Sequence, residues 1–226
     1  MHKVDYLSAN WLIIDNNNKI VKRSLKYIKG VVYDFGCGVR PYEKDILEVA
    51  NEYIGVDWGE TLHGLKADIV SDLNKVLPIE SKMADSIVSF QVMEHLCEPQ
   101  VMLNEAYRIL KNNGYVVLTV PFQWWIHEAP HDYYRYTPHG LKYMFEKSGF
   151  VGVKIKPNGG FFTMWFLKIN YFSSRFVRGP KFMRLLIKAF LIPFWAINQI
   201  LAPLLDRLDK NPVLESSGYI VIARKD

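Results

Sequence analysis

Cysteine is scarce in this chain: Cys37 and Cys97 are the only two in 226 residues. Two thiols make no disulfide framework, and a reducing compartment is expected. Internal repeats and low-complexity tracts are missing too. The longest apolar stretch, Ala189 to Leu205, has 17 residues, carries Asn198-Gln199 and is interrupted by Pro193 and Pro203. That falls short of the ~20 apolar residues a membrane span requires. The opening MHKVDYLSANWLIID has no uninterrupted apolar core with a cleavage site, so no secretory signal is expected. Acidic residues thin out toward the end. Residues 1–157 hold 18 Lys+Arg against 19 Asp+Glu, whereas residues 158–226 hold 10 against 4, and from Lys168 to Lys188 there are six cations and no acid. With half its residues hydrophobic, the chain is no disordered tail, and its length suits one domain with a real core.

What is present is most informative at VVYDFGCGVRPY, residues 31–42, followed by YIGVD at 53–57. Val31 to Phe35 reads as a buried strand. It runs into Gly36-Cys37-Gly38, where a turn without side chains brings backbone N–H groups close to a ligand. Asp57 ends the next strand-like run, 21 residues after Gly36. At about that spacing an acidic side chain meets the ribose hydroxyls of a nucleoside held at the first crossover. The third glycine of the dinucleotide fingerprint is absent, and Pro41 stands in its place. The loop therefore suits an adenosine cofactor with an amino-acid tail better than a pyrophosphate, and a dehydrogenase is disfavoured.

The rest of the chain alternates. Residues 1–30 read as one or two helices with Asn16-Asn17-Asn18 as a break. Strands follow at 31–35, 53–57, about 67–70, 86–90, 115–120 and 151–156, with helices at about 41–50, 99–111 and 138–148. Strands alternating with helices predict a mostly parallel sheet covered on both faces.

Several blocks in order resemble a class I S-adenosylmethionine-dependent methyltransferase of the methyltransferase type 11 kind: YDFGCG (33–38), YIGVD (53–57), SDLNKVLP (71–78), ADSIVSFQVMEHL (84–96), EAYRILKNNGYVVLTVP (105–121) and GYIVIARK (218–225). The resemblance implies a Rossmann-like α/β sheet, mostly parallel, with GYIVIARK as an antiparallel last strand beside the preceding one. It implies one domain over 1–226: an N-terminal helical segment (1–30), a cofactor-binding core (31–157), a helical basic-aromatic insertion (158–213) and the last strand (218–225). S-adenosyl-L-methionine is the cofactor so implied. Asp34, Gly36 and Gly38 would meet its methionine end, with Cys37 in the same loop as a spectator thiol. Asp57 would take the ribose hydroxyls, Trp58 would wall the adenine, Asp72-Leu73 would read its edge, and Gln91 would touch the methionine moiety. Asp68 rivals Asp72 for the adenine.

Between Phe122 and His139 the chain concentrates three histidines, Asp132, Arg135 and five Trp or Tyr residues, on the loop after strand 115–120. Ordinary loops are rich in Ser, Gly and Asn. Methyl transfer to a hydroxyl needs removal of the acceptor's proton, and histidine suits that task. His127 and His131 are the candidate catalytic residues, with Asp132 to orient one of them. Trp124 and Tyr133, together with Tyr134, are candidate walls for the substrate, and Arg135 a candidate anion contact. A metal alternative rests on Glu94-His95: the pattern E-x-x-E-H with a later His holds a divalent ion in small-RNA 2′-O-methyltransferases. Here Gln91 replaces the first Glu, so the expectation is a site without metal.

Residues 161–195 hold eleven aromatics. On a helical wheel Phe162, Trp165, Phe166, Ile169, Phe172 and Phe176 share one side and Lys168, Arg175 and Arg178 another, and Gly179-Pro180 ends that helix. Such a segment suits an anionic membrane surface through 161–205, or a lid over the core. The near-neutral first half offers no wide basic groove, so nucleic acid is not an expected partner. The resemblance extends to methyltransferases associated with bacterial surface-polysaccharide synthesis. The expected activity is therefore O-methylation of a hydroxyl on a sugar or lipid-linked saccharide, in the cytoplasm or peripherally at the inner face of the membrane. Metal-assisted methylation of RNA or a quinone-like acceptor, and a non-catalytic cofactor binder at the membrane, are the alternatives.

Overall fold

The computed structural model describes residues 5–59 and 66–226. A seven-stranded sheet runs through the middle in the order β3-β2-β1-β4-β5-β7-β6. Its strands are β1 (Val31–Phe35), β2 (Glu52–Asp57), β3 (Ile69–Val70), β4 (Ala84–Phe90), β5 (Leu110–Pro121), β6 (Val151–Pro157) and β7 (Gly218–Arg224). β7 pairs antiparallel with both β5 and β6, and the other neighbours are parallel. This is the expected Rossmann-like sheet, with GYIVIARK inserted antiparallel.

Period-two alternation along the strands feeds two cores. Val32, Val88, Val117 and Ile220 face one side, where they meet Val21 of α1 (Trp11–Ser24) and Ile46 of α2 (Glu43–Ile46). Ile87, Val116, Leu118 and Val221 face the other. There they meet Met102 and Leu103 of α3 (Pro99–Ile109) and Leu141 and Phe145 of α4 (Pro138–Lys147). Strand order reverses between β1 and β4, so the loops after those strands flank the crevice where such sheets bind ligands.

Three local expectations are corrected. Asn16-Asn17-Asn18 does not break the first helix, because α1 passes through it. Leu12 and Val21 anchor it on both sides, and Asn158 donates to Asn17, so tertiary contacts override weak asparagine propensity. Nor do Pro193 and Pro203 interrupt the second helix of the insertion. α6 (Lys181–Leu205) contains both, after α5 (Phe161–Ser174). A proline removes its own N–H bond, but the buried contacts of Trp195, Asn198, Gln199 and Ala202 hold the helix together past Pro193. Consequently the helical run Lys181–Leu208, 28 residues long, is long and apolar enough to cross a membrane by length and composition. Its inner side is nevertheless tied to the core: Gln199 accepts from the Leu12 N–H (3.0 Å), and Asn198 donates to Asn170 of α5 (2.8 Å).

Candidate functional site

β1 delivers Asp34 to the bottom of the crevice, where it is buried and accepts a hydrogen bond from the Tyr53 hydroxyl of β2. Burial raises its pKa to about 7, against the opposing pull of Tyr53. Gly36 follows at φ 80°, with its N–H on the Val56 carbonyl at 2.7 Å. A Cβ on Gly36 would lie 2.3 Å from Val92, so only glycine fits this turn. Gly38, at φ 51°, has nothing within 4 Å of where a Cβ would stand. Its side-chain position is open space that a ligand can use, and its N–H donates to Asp57 Oδ2 at 2.6 Å.

The Asp57 carboxylate thus joins the ends of β1 and β2. Its other oxygen accepts from the Trp58 N–H at 2.8 Å, and burial holds its pKa above the usual carboxylate value. Cys37 is buried, and burial pushes its thiol up to about 12, far from a reactive thiolate. The two rivals for the adenine edge part company. Asp68 accepts from the Gly55 N–H (2.7 Å) and pairs with Arg40 (2.6 Å), which commits it to holding the glycine loop. Asp72 stands just beyond β3, half-exposed, with Asn74 and Lys75 as partners and Leu73 buried behind it.

Gln91 sits directly after β4 at φ 57°, its N–H on the Thr119 carbonyl of β5. Gln91, Asp34, Gly36 and Cys37 line a cavity of about 180 Å³, closed on the far side by Ile14, Asn17 and Val21 of α1. A polar group at one end and apolar walls elsewhere suit the methionine part of the cofactor, and the open face of Gly38 beside Asp57 suits its ribose. The residues present fit the cofactor that the sequence implies.

The loop after β5 lies over the same end of the sheet. His127 and Asp132 come together: the His127 N–H donates to Asp132 Oδ2 at 2.8 Å, and Nδ1 of the ring is 3.4 Å from that oxygen. Hydrogen bonds from Arg135 hold Asp132 down at about 2. Burial, and then the neighbouring His95, lower the pKa of His127. His131 is apart from this group, edge-on to Trp58 at 5.1 Å and 3.1 Å from the Tyr133 hydroxyl. Arg135 departs from expectation. Its guanidinium is spent on Asp132 (2.6 and 2.8 Å) and on the carbonyls of Trp125 and Tyr134 (both 2.8 Å), so it clasps the loop rather than offering a free fork to an anion. Trp124 likewise turns away, stacked on Trp125 at 4.5 Å and edge-on to Tyr171 of α5. Tyr133 and Tyr134 stay exposed, with both backbone N–H groups on the Glu94 carbonyl.

One feature escaped the reading of the sequence. Tyr53 as the partner of Asp34 requires the β1–β2 register, which no motif displays. The turn Met93–His95 after β4 brings Glu94 and His95 to His127, with one donor atom from each of the three residues within 4.8 Å of the others. The histidine rings are 4.9 Å apart.

Comparisons with known proteins agree with this picture. The methyltransferase domain family matches residues 33–118. A probable S-adenosylmethionine-dependent methyltransferase of Mycolicibacterium smegmatis is 32% identical over 97 residues, which cover 40% of this chain and 37% of that protein. The chain thus spans little more than a third of that relative's length. Among solved structures, an S-adenosylmethionine-dependent methyltransferase from Archaeoglobus fulgidus superposes with a TM-score of 0.57 at 19% identity, over 95% of this chain and 100% of that one. Phosphoethanolamine N-methyltransferase 2 of Haemonchus contortus, in complex with S-adenosyl-L-methionine, gives 0.59 at 15% identity, over 97% and 56%. The described chain has the Rossmann-like fold of these methyltransferases.

Proposed function

We propose that the chain is a methyltransferase that uses S-adenosylmethionine to methylate a hydroxyl of a sugar or lipid-linked saccharide. The observation that carries this is Asp57 locked to the Gly38 N–H beside an open glycine face, with the histidine-bearing loop on the same end of the sheet. S-adenosylmethionine is the cofactor, and when bound it supplies an electrophilic methyl group on sulfur. The protein's own residues do the rest. Asp57 accepts from the ribose, Asp34 and Gln91 hold the amino-acid end, and Tyr133 and Tyr134 offer aromatic planes to a sugar ring. The imidazole of His127, kept neutral by burial and by His95, activates the acceptor oxygen. Transfer of labelled methyl to lipid-linked saccharides, free sugars, RNA and quinols tests the reading. Label in the saccharides is expected, and label confined to RNA or quinols would overturn the acceptor.

Asp34 predicts a pH dependence of cofactor binding. Its folded pKa, about 7, lies above the ordinary 3.8, so burial favours the protonated acid. In the cofactor-free chain this contribution to stability is full below the unfolded value and is lost as pH rises through about 7. The amino group of the cofactor, a cation, prefers the ionised form. Affinity for S-adenosylhomocysteine should therefore fall as pH drops below that value, with a proton released on binding. Calorimetry in two buffers of different ionisation enthalpy reads both effects. Asp34→Asn should flatten the pH profile, and an unchanged profile would remove Asp34 from the site.

The insertion supports a membrane-surface position for the same enzyme. The apolar side of α5 and α6 is uncovered: Phe172 and Phe176 are each 59% exposed, Phe182 70% and Phe190 80%. Exposed Arg175, Arg178, Lys181, Arg184 and Lys188 accompany them. Apolar rings beside unopposed cations suit an anionic bilayer surface. Lys168 is not among the available cations, because it donates to Gln123 (2.9 Å). The protein should co-sediment with vesicles containing anionic lipid and be released by salt, since each basic side chain near such a surface contributes ~1 kcal/mol and is screened within a Debye length. Replacing Arg175, Arg178 and Arg184 by Glu should abolish this and leave S-adenosylhomocysteine binding unchanged. Wild-type protein that ignores such vesicles at low salt would refute the surface contact.

A further inference from the structure

Glu94 is fully buried, and neither oxygen of its carboxylate has a hydrogen-bond partner. Buried carboxylates are ordinarily hydrogen-bonded, paired with a cation or bound to a metal. What Glu94 has nearby is imidazole. His95 Nε2 lies 3.7 Å from Glu94 Oε1, too long for a hydrogen bond. The other nitrogen of that ring, Nδ1, is 2.6 Å from the His131 carbonyl oxygen. A carbonyl only accepts, so the proton of His95 sits on Nδ1 and the lone pair of Nε2 is left toward Glu94. His127 is held less strictly. Its Nδ1 is 3.4 Å from the Asp132 carboxylate and the Trp125 carbonyl, two acceptors, and 3.5 Å from Arg135 Nη2, a donor, so the lone pair of this ring is available at either nitrogen. Histidines whose second nitrogen is held by a carbonyl or a carboxylate are the usual arrangement around a bound metal ion.

We propose that Glu94, His95 and His127 bind one divalent transition-metal ion. Metal–ligand bonds of ~2.0–2.2 Å put two donors on a common ion no more than about 4.4 Å apart. The three donors here already lie within 4.8 Å of one another, so small side-chain movements close the site. Glu128 Oε2, 3.8 Å from His95 Nε2, stands at the mouth as a fourth oxygen. Two imidazoles with carboxylate favour manganese, iron, cobalt, nickel or zinc over magnesium or calcium. The ion would sit beyond the ends of β4 and β5, next to the loop assigned to the acceptor. There it would hold the acceptor oxygen and acidify its proton, which names how His127 acts and rests on the methyltransferase reading.

The experiment is titration of the full chain, stripped with a chelator and desalted, with Co²⁺. Absorption and calorimetry follow binding, and thermal unfolding is measured alongside. One Co²⁺ per chain is expected, with the weak bands of nitrogen and oxygen ligation, no thiolate charge-transfer band, and a higher unfolding midpoint. Glu94→Gln and His95→Ala should each weaken binding tenfold or more, whereas Cys97→Ser should bind as the wild type does. Each variant is first shown to unfold cooperatively and to bind S-adenosylhomocysteine without metal, and His127→Gln replaces any that does not. Binding below one equivalent, or binding indifferent to these substitutions, overturns the metal site. Failure of S-adenosylhomocysteine to bind the metal-free wild type would instead count against the methyltransferase reading, whatever Co²⁺ does.

Discussion

His127→Ala is expected to lower single-turnover methyl transfer about 10²-fold or more while leaving S-adenosylhomocysteine affinity near that of the wild type. His127 lies on the loop after β5, where its ring meets Asp132, Trp125, Arg135 and His95. On the proposed mechanism its removal costs activation of the acceptor oxygen rather than cofactor binding. Asp132, whose side chain is only 1% exposed and is clasped by Arg135, keeps the ring in place. Asp132→Asn should therefore give a smaller loss of the same kind, in kcat rather than in cofactor affinity. A His127→Ala enzyme with unchanged turnover would remove this ring from the chemistry and shift attention to His131, beside Trp58. Equal losses of turnover and cofactor affinity would mean that the loop had collapsed.

Asp57→Ala carries the second large effect, on binding. The substitution removes the expected acceptor of the ribose hydroxyls and also frees the Gly38 N–H, which Asp57 now holds at 2.6 Å. A lost charge-assisted pair is worth about 1.5–3 kcal/mol, which corresponds to roughly a ten- to hundredfold weaker complex. Asp57→Asn retains one acceptor and should fall between. Calorimetry with S-adenosylhomocysteine at fixed pH reads the series. Wild type and Asp57→Ala binding alike would show that the nucleoside lies elsewhere.

The first β–α turn was the most legible part of the sequence, because its conformation is dictated locally. Only glycine tolerates the φ of 80° at position 36 next to Val92, and the strands on either side announce themselves by burial. The antiparallel last strand followed from the family resemblance of the ordered motif blocks, which no short-range rule supplies. Where the reading failed, long-range contacts decided. The asparagine triplet and Pro193 look like helix breaks in isolation. In the fold, residues far away in sequence, such as Asn158 for α1 and Leu12 and Asn170 for α6, hold those helices continuous.

The loop after β5 stood out in the sequence by composition and not by geometry. Composition singled out this loop, but not that Arg135 turns inward onto Asp132 or that Trp124 packs on Tyr171. Glu94-His95 and His127 are more than thirty residues apart in sequence and meet because β4 and β5 are neighbours in the sheet, so both following loops emerge at the same place. Their weight as a candidate metal site comes from a buried carboxylate without a donor, a property that exists only once the chain is folded.

The central claim, that this crevice holds S-adenosylmethionine, is tested most directly by calorimetric titration of the wild-type chain with S-adenosylhomocysteine and, in parallel, with NAD. The account predicts one S-adenosylhomocysteine per chain, bound at least about tenfold more tightly than NAD, because the two-glycine loop with Pro41 suits an amino-acid tail better than a pyrophosphate. No binding of S-adenosylhomocysteine, or binding of NAD with equal or greater affinity, would contradict it.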